Sequence, residues 1–249
     1  MQINFGGREI ALKLVYYGPA LSGKTTNLRS LHQLTTEDSR GRLMTLETRD
    51  DRTLFFDTLP LTLRASPSAG EGAPAGMTLR IKIFTVPGQV LHTSTRRLVL
   101  QGADGVAFIA DSQISETEHN AASFLDLRRN LKELNLSVKD LPLVIQFNKR
   151  DLDRVRSDDE LAALASRGRE PVFKASAVNG DGVLETFFGL LDITWRKLDS
   201  EHQLAKLLGI PSADLLPLAG RQLGLETDVA TLLSSCLGGK SHRTAEVPP

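Results

Sequence analysis

Gly18-Pro19-Ala20-Leu21-Ser22-Gly23-Lys24-Thr25 matches, at every fixed position, the pattern G-x-x-x-x-G-K-[ST] of a loop that cradles phosphate groups. The chemistry it could do is the neutralisation of a polyanion. A chain bent at Gly18 and Gly23 can turn its backbone N–H groups inward. A helix starting at the end of the loop adds its partial positive charge. Lys24 can reach the β- and γ-phosphates, and the Thr25 hydroxyl can ligate Mg²⁺. Gly18, Ala20, Leu21, Ser22, Gly23, Lys24, Thr25 and Thr26 are therefore the candidate phosphate-binding residues.

Four further pieces carry chemistry. In Asn148-Lys149-Arg150-Asp151 the Asp151 carboxylate can accept from both N1–H and N2–H₂ of guanine, a donor pair adenine lacks. A site built on such a pattern can reject the wrong base by about 10⁴-fold. Asn148 would brace the loop and the Lys149 stem would lie over the base. In Ser176-Ala177-Val178 small residues let the Ala177 N–H approach guanine O6. In Thr85-Val86-Pro87-Gly88-Gln89 the Gly88 N–H can donate to a γ-phosphate and Gln89 can orient the attacking water. Arg52-Thr53 could supply a cation to the transferring phosphoryl group and a hydroxyl to the metal. Taken singly, the four also read as a common surface tetrapeptide, an ordinary strand-to-helix turn, a Pro-Gly turn and a solvated polar loop. Their order along the chain gives them weight.

The elements that must hold these pieces follow from periodicity. Ile10–Tyr17 reads as a strand feeding the phosphate loop, and Leu28, Leu31 and Leu34 mark the helix after it. Met1–Gly7 contains a small leading strand, and Leu43–Leu46 a brief extended piece. Leu54–Leu63 is predicted as a strand that Pro60 demotes toward an edge. A loop over Ala65–Gly76 and the alternating strand Thr78–Val86 complete a hairpin with it. Gly105–Ala110 and Leu143–Phe147 are continuous apolar runs, as strands covered on both faces would be. Ser123–Leu134 is a helix, Ser157 with Glu160 a capping box opening another, Val172–Ala175 a strand and Val183–Leu198 a helix. Strands alternating with helices predict an α/β fold with a doubly wound, mainly parallel sheet and helices on both faces. Its strand C-termini should then carry the site.

Composition narrows the function classes. The 41% apolar content suffices for a packed core, and the formal net charge of zero gives no electrostatic pointer to nucleic acid or an anionic membrane. The single cysteine, Cys236, cannot form an internal disulfide and fits a reducing compartment. No apolar run is long enough to span a bilayer, and no signal or lipidation pattern is visible at Met1–Gly7 or Glu246–Pro249. A cytoplasmic protein without an integral membrane anchor is expected.

Five pieces in this order resemble the small Ras-type GTPase superfamily. Val15-Tyr16-Tyr17-Gly18-Pro19, Arg52-Thr53-Leu54-Phe55-Phe56-Asp57, Thr85-Val86-Pro87-Gly88-Gln89-Val90, Ala110-Asp111-Ser112-Gln113 and Gln146-Phe147-Asn148-Lys149-Arg150-Asp151 resemble, more closely, the bacterial MglA family of polarity and gliding-motility GTPases. The resemblance covers about Ile3 to Leu198. It implies a P-loop NTPase fold and GTP-on, GDP-off switching with Mg²⁺. It also implies an activating partner of the roadblock fold, MglB-like, and a polar location within the cell. Arg52 matches the family's intrinsic arginine finger, Thr53 its switch I Mg²⁺ ligand and Gln89 its water-positioning glutamine. The strand after switch I shifts register between states in that family, which here falls on Leu54–Leu63. Most Ras-type proteins carry Asp where Thr85 stands. MglA proteins resemble this chain in having Thr, which bears on Mg²⁺ geometry rather than on GTP binding. The Ala65–Gly76 loop is longer than is usual in the family.

The domain expectation is a GTPase domain over 1–199 and an extension over 200–249. Leu204, Leu207 and Leu208 suggest one short helix there and Thr227–Leu237 another, stopped by Gly238-Gly239 before a disordered end at Lys240–Pro249. The extension is expected to pack on the domain, with an arm binding an unknown effector as the alternative. Two rivals to the switch remain at this point. One is a guanine-nucleotide-binding scaffold with little hydrolysis, the other an ATP-using P-loop kinase, against which Asn148–Asp151 argues.

Overall fold

The computed structural model describes residues 1–46, 56–64, 77–87 and 93–234. Its centre is a sheet in the order β3-β4-β5-β2-β6-β7-β8, from β2 (Glu9–Tyr17), β3 (Met44–Leu46), β4 (Phe56–Arg64), β5 (Thr78–Thr85), β6 (Gly105–Asp111), β7 (Leu143–Asn148) and β8 (Val172–Lys174), with β1 (Gln2–Asn4) pairing β2. The pairs β2–β5, β2–β6, β6–β7 and β7–β8 are parallel. The hairpin β4–β5 and the outer pairs β3–β4 and β1–β2 are antiparallel. This is the mainly parallel sheet expected from the sequence, and the β4–β5 hairpin is where it was predicted.

Every residue of β6 is buried, which explains its unbroken apolar run. On one face α1 (Lys24–Leu34) and α5 (Val183–His202) bury Leu28, Leu31, Phe187, Phe188 and Trp195 against the sheet. On the other, α2 (Thr93–Leu100), α3 (Thr117–Glu133) and α4 (Asp158–Arg167) bury Val99, Leu100, Leu127, Leu131, Leu161 and Ala165. Ser157 caps α4 through the Glu160 N–H, and the Glu160 carboxylate accepts from the Ser157 N–H, completing the capping box. Helix α3 starts at Thr117, six residues before the expected Ser123. Its first turns are largely exposed, so no apolar stripe marks them. Pro60 lies within β4, and its carbonyl accepts from the Gly41 N–H at 2.8 Å on the outer side of the strand. The ring therefore removes a donor only on that side, away from the β5 ladder.

After α5 the chain makes α6 (Leu204–Leu208), α7 (Leu215–Gln222) and α8 (Val229–Leu233). Helix α7 has no counterpart in the sequence reading, because Pro217 in its first turn looks like a breaker although that position tolerates proline. Leu204, Leu208, Leu215, Ala219, Leu223 and Val229 join the same core cluster as Leu61, Leu63 and Met77. Full burial of a Leu or Val contributes about 1.5–3 kcal/mol each. The packing is reinforced by polar contacts. The Gln222 side chain accepts from the Arg64 N–H at 2.8 Å and donates to the Arg64 carbonyl at 2.6 Å. The Gln222 carbonyl accepts from Thr36 and Ser39 hydroxyls. The Ala65–Gly76 loop, Leu54, Phe55 and residues from 235 onward lie outside the described residues.

Candidate functional site

The sheet changes winding direction at β2, whose neighbours are β5 on one side and β6 on the other. Ligands of such sheets sit beyond the strand C-termini at that point. Gly18–Gly23 follow β2 there and end at α1. Gly23 caps α1 at φ 93°, and a Cβ on it would lie 2.2 Å from Asn148 Nδ2. Glycine is required for the backbone conformation and for the approach of Asn148. Leu21 at the tip is exposed, whereas Ser22 is fully buried and its hydroxyl has no hydrogen-bond partner among the described residues. Lys24 folds back over the loop and donates to the carbonyls of Gly18 at 3.0 Å and Pro19 at 2.6 Å. Burial first, and the charge of Arg96 second, push its amine down to about 7. Among the described residues only neutral carbonyls hold this buried amine, and a phosphate would supply it with an anion.

Asn148 ends β7, and Lys149, Asp151 and Ser176–Val178, named from the sequence as candidates for the base, lie on the loops after β7 and β8. Asn148 Nδ2 donates to the Ser22 carbonyl at 2.8 Å and its Oδ1 accepts from the Ala177 N–H at 2.9 Å. One side chain thus ties the phosphate loop to both other loops. A base approaching the Ala177 N–H meets a donor already engaged by Asn148. Lys149 takes φ 66° and pairs with Asp111 at 2.6 Å. Asp151 accepts from the Ser176 hydroxyl at 2.6 Å, and Val178 is exposed beside them. Behind these loops Asn27 on α1 and Gln146 on β7 exchange two amide hydrogen bonds of 2.9 and 2.8 Å, both side chains fully buried.

Beside Thr25 stands a residue quoted above only as the end of the Arg52–Asp57 string and given no role there. Asp57 on β4 is buried, and its Oδ2 accepts from the Thr25 hydroxyl at 2.6 Å and from Thr85 at 3.3 Å. Its Oδ1 accepts from Thr45 at 2.7 Å, and its own N–H donates to the Thr85 hydroxyl at 2.9 Å. A carboxylate thus stands beside Thr25 even though Thr85 replaces the usual Asp. The available signal was a lone acidic residue inside an aromatic and apolar strand. Oxygen donors of this kind suit Mg²⁺, which takes one or two protein groups and completes its shell with phosphate and water. Among the described residues no group of three or more His, Cys, Asp or Glu side chains could form a metal cage by itself. Arg52, Thr53, Gly88 and Gln89 lie outside the described residues.

With this geometry established, the relatives become informative. The chain is 44% identical over 184 residues to the mutual gliding-motility protein MglA of Myxococcus xanthus, covering 74% of this chain and 90% of that protein. The chain belongs to the MglA-type small GTPase family. More distant similarity reaches the Ras-related protein Rab-27A of Homo sapiens, 25% identical over 78% of this chain and 83% of that protein. It also reaches the Ras-related protein SEC4 of Saccharomyces cerevisiae, 28% identical over 54% of this chain and 59% of that protein. A scan against protein-family models finds no match. Membership makes the chain a GTP-binding, GTP-hydrolysing enzyme, which removes the ATP-using kinase and gives no support to an inert scaffold. Among the described residues no helix is long and apolar enough to cross a membrane.

Proposed function

We propose that this chain is a Mg²⁺-dependent GTP switch that regulates cell polarity or motility from the cytoplasm. It binds GTP across the loops joined by Asn148, with residues 1–199 as the GTPase domain and 200–249 as an extension packed on the same core. Three observations support the reading: the buried Lys24, held among the described residues by neutral carbonyls, the Asn148 bridge from Ser22 to Ala177, and the extent of similarity to a gliding-motility protein. The bridge carries it, because a side chain that fixes the phosphate loop and the base loops against each other suits a nucleotide that spans both.

In this assignment Asp151 with the Ala177 loop selects guanine, and Lys24 with the loop amides holds the phosphates. Thr25 and Thr53 would hold Mg²⁺, and Asp57, hydrogen-bonded to Thr25, would accept from a water of its shell. Gly88 donates to the γ-phosphate, Gln89 orients the water and Arg52 supplies positive charge in cis. Bound Mg²⁺ neutralises charge on the β- and γ-phosphates. A roadblock-fold partner accelerates turnover by seating Arg52 and Gln89.

Calorimetry of GDP against ADP, followed by phosphate release with and without an MglB-like protein, tests this. GDP should bind far more tightly than ADP. Unassisted turnover should be slow, about 10⁻⁴ s⁻¹ as for unassisted Ras-type proteins. The Gln89→Leu variant should keep GDP affinity within about twofold and lose about 100-fold or more of stimulated turnover. Unchanged turnover in that variant removes Gln89 from the mechanism.

A further inference from the structure

Helices α1 and α5 begin alike. Each starts at a left-handed glycine, Gly23 at φ 93° and Gly182 at φ 71°, that offers no side-chain cap. In each, the glycine carbonyl accepts twice from the residue four positions on. Gly23 takes the Asn27 N–H at 2.9 Å and Asn27 Nδ2 at 3.0 Å. Gly182 takes the Thr186 N–H at 3.1 Å and the Thr186 hydroxyl at 2.7 Å. One side chain joins the two turns. Gln146 on β7 exchanges both amide bonds with Asn27, and its Nε2 donates to the Thr186 hydroxyl at 2.8 Å. Asn27, Gln146 and Thr186 are all fully buried.

A polar chain on this face is unexpected from burial alone. Val144, Gln146 and Asn148 share one face of β7, since strand side chains alternate. Val144 on that face packs in the core with Leu28 and Phe187. An apolar pair of similar shape can replace two satisfied amides at little cost in stability. What the amides add is direction, because they bond well at only one relative placement of the two helix starts. The first start follows Gly18–Gly23 and the second follows Ser176–Val178. Asn148, two residues further along the same face, ties the same two loops through Ser22 and Ala177. The held Gly23 carbonyl also fixes its peptide plane. The Lys24 N–H of that unit therefore points the other way, out of the N-terminus of α1.

We propose that Gln146 is a positioning residue that keeps the phosphate loop and the base loop in register, so that a nucleotide gains from both at once. Buried behind the loops, it acts through Asn27 and Thr186 rather than on the nucleotide. The proposal rests on the assignment of phosphate to Gly18–Thr25 and of guanine to Asp151 with the Ala177 loop. A ligand that occupies both loops needs them in register, whereas one that occupies the phosphate loop alone does not. That difference separates positioning from plain structural support.

The test is calorimetry of the nucleotide-free protein with GDP and with inorganic pyrophosphate, both in Mg²⁺. The double variant Asn27→Leu with Gln146→Leu exchanges the amide pair for an apolar one, so its melting temperature should stay near that of the wild type. GDP should weaken about tenfold, the scale of one or two net hydrogen bonds, while pyrophosphate affinity stays within about twofold. If the double variant folds poorly, Thr186→Val cuts the link to α5 alone, and a selective loss of GDP of about fivefold is expected. Unchanged GDP affinity in a folded variant, or equal weakening of GDP and pyrophosphate, overturns the proposal. A wild type that binds GDP no better than ADP instead overturns the guanine-nucleotide reading itself, so the two failures are distinguishable.

Discussion

The surroundings of Asn148 and those of Asp57 are held by different chemistry. In the first, neutral amides make the cross-links: Asn148 ties Ser22 to Ala177, and behind the loops Asn27 on α1 pairs with Gln146 on β7. These bonds involve no ionisable group. In the second, three threonine hydroxyls, Thr25, Thr45 and Thr85, converge on one carboxylate, Asp57. Every one of those bonds can be exchanged for a metal, a water or a phosphate oxygen. The first is a set of fixed neutral cross-links, the second a cluster of oxygen donors around one carboxylate. A switch needs this division, since guanine is common to its two states whereas the γ-phosphate is not.

The contrast breaks hardest at Asp151. Asp151→Asn should weaken GDP by about 10³-fold in calorimetry, because the replacement offers a donor where the base also offers one. A loss under tenfold would place base recognition elsewhere. A smaller effect is expected at Asp57. In Asp57→Asn the Mg²⁺ concentration needed to tighten GDP should rise about tenfold, as for loss of a group that orients a metal's shell. Metal-free GDP affinity should hold within about twofold. If metal-free binding fell equally, the two halves would not be separable.

The smallest effect is a proton at Lys24, which touches both halves. Its amine is lowered from 10.5 to about 7, so at pH 8 it is mostly neutral in the nucleotide-free protein. Phosphates favour the charged form, so binding at pH 8 should take up nearly one proton, fading as pH falls below 7. Calorimetry in buffers of different ionisation enthalpy reads this directly, and Lys24→Met should abolish it. The unfolded chain binds more protons between about 7 and 10.5, so stability of the nucleotide-free protein should rise with pH across that window.

What the sequence revealed divides along similar lines. Lys24, Thr25, Asn148 and Asp151 could be named as candidates because phosphate and guanine demand fixed residue types at fixed spacing, and the structure brings their loops together through Asn148. The hairpin, β6 and the α4 capping box were legible because alternation, unbroken apolarity and Ser-x-x-Glu are local signals. Asp57 was not, since its role depends on strand pairing that brings it beside Thr25 and Thr85. Helix α2 was hidden for a related reason: Thr95 and Arg96 are buried on it although both are polar. Helix α7 was masked by Pro217, and its place against β4 depends on contacts more than a hundred residues apart.

That last contact bears on how the protein is made. Leu61, Leu63 and Met77 leave the ribosome well before Leu215, Ala219 and Leu223, their companions in the core. Throughout synthesis of the intervening chain, at about 5–20 residues per second, one end of the hairpin has no cover. The nascent protein therefore carries a greasy, unfinished edge for several seconds, until α7 and α8 emerge to pack against it.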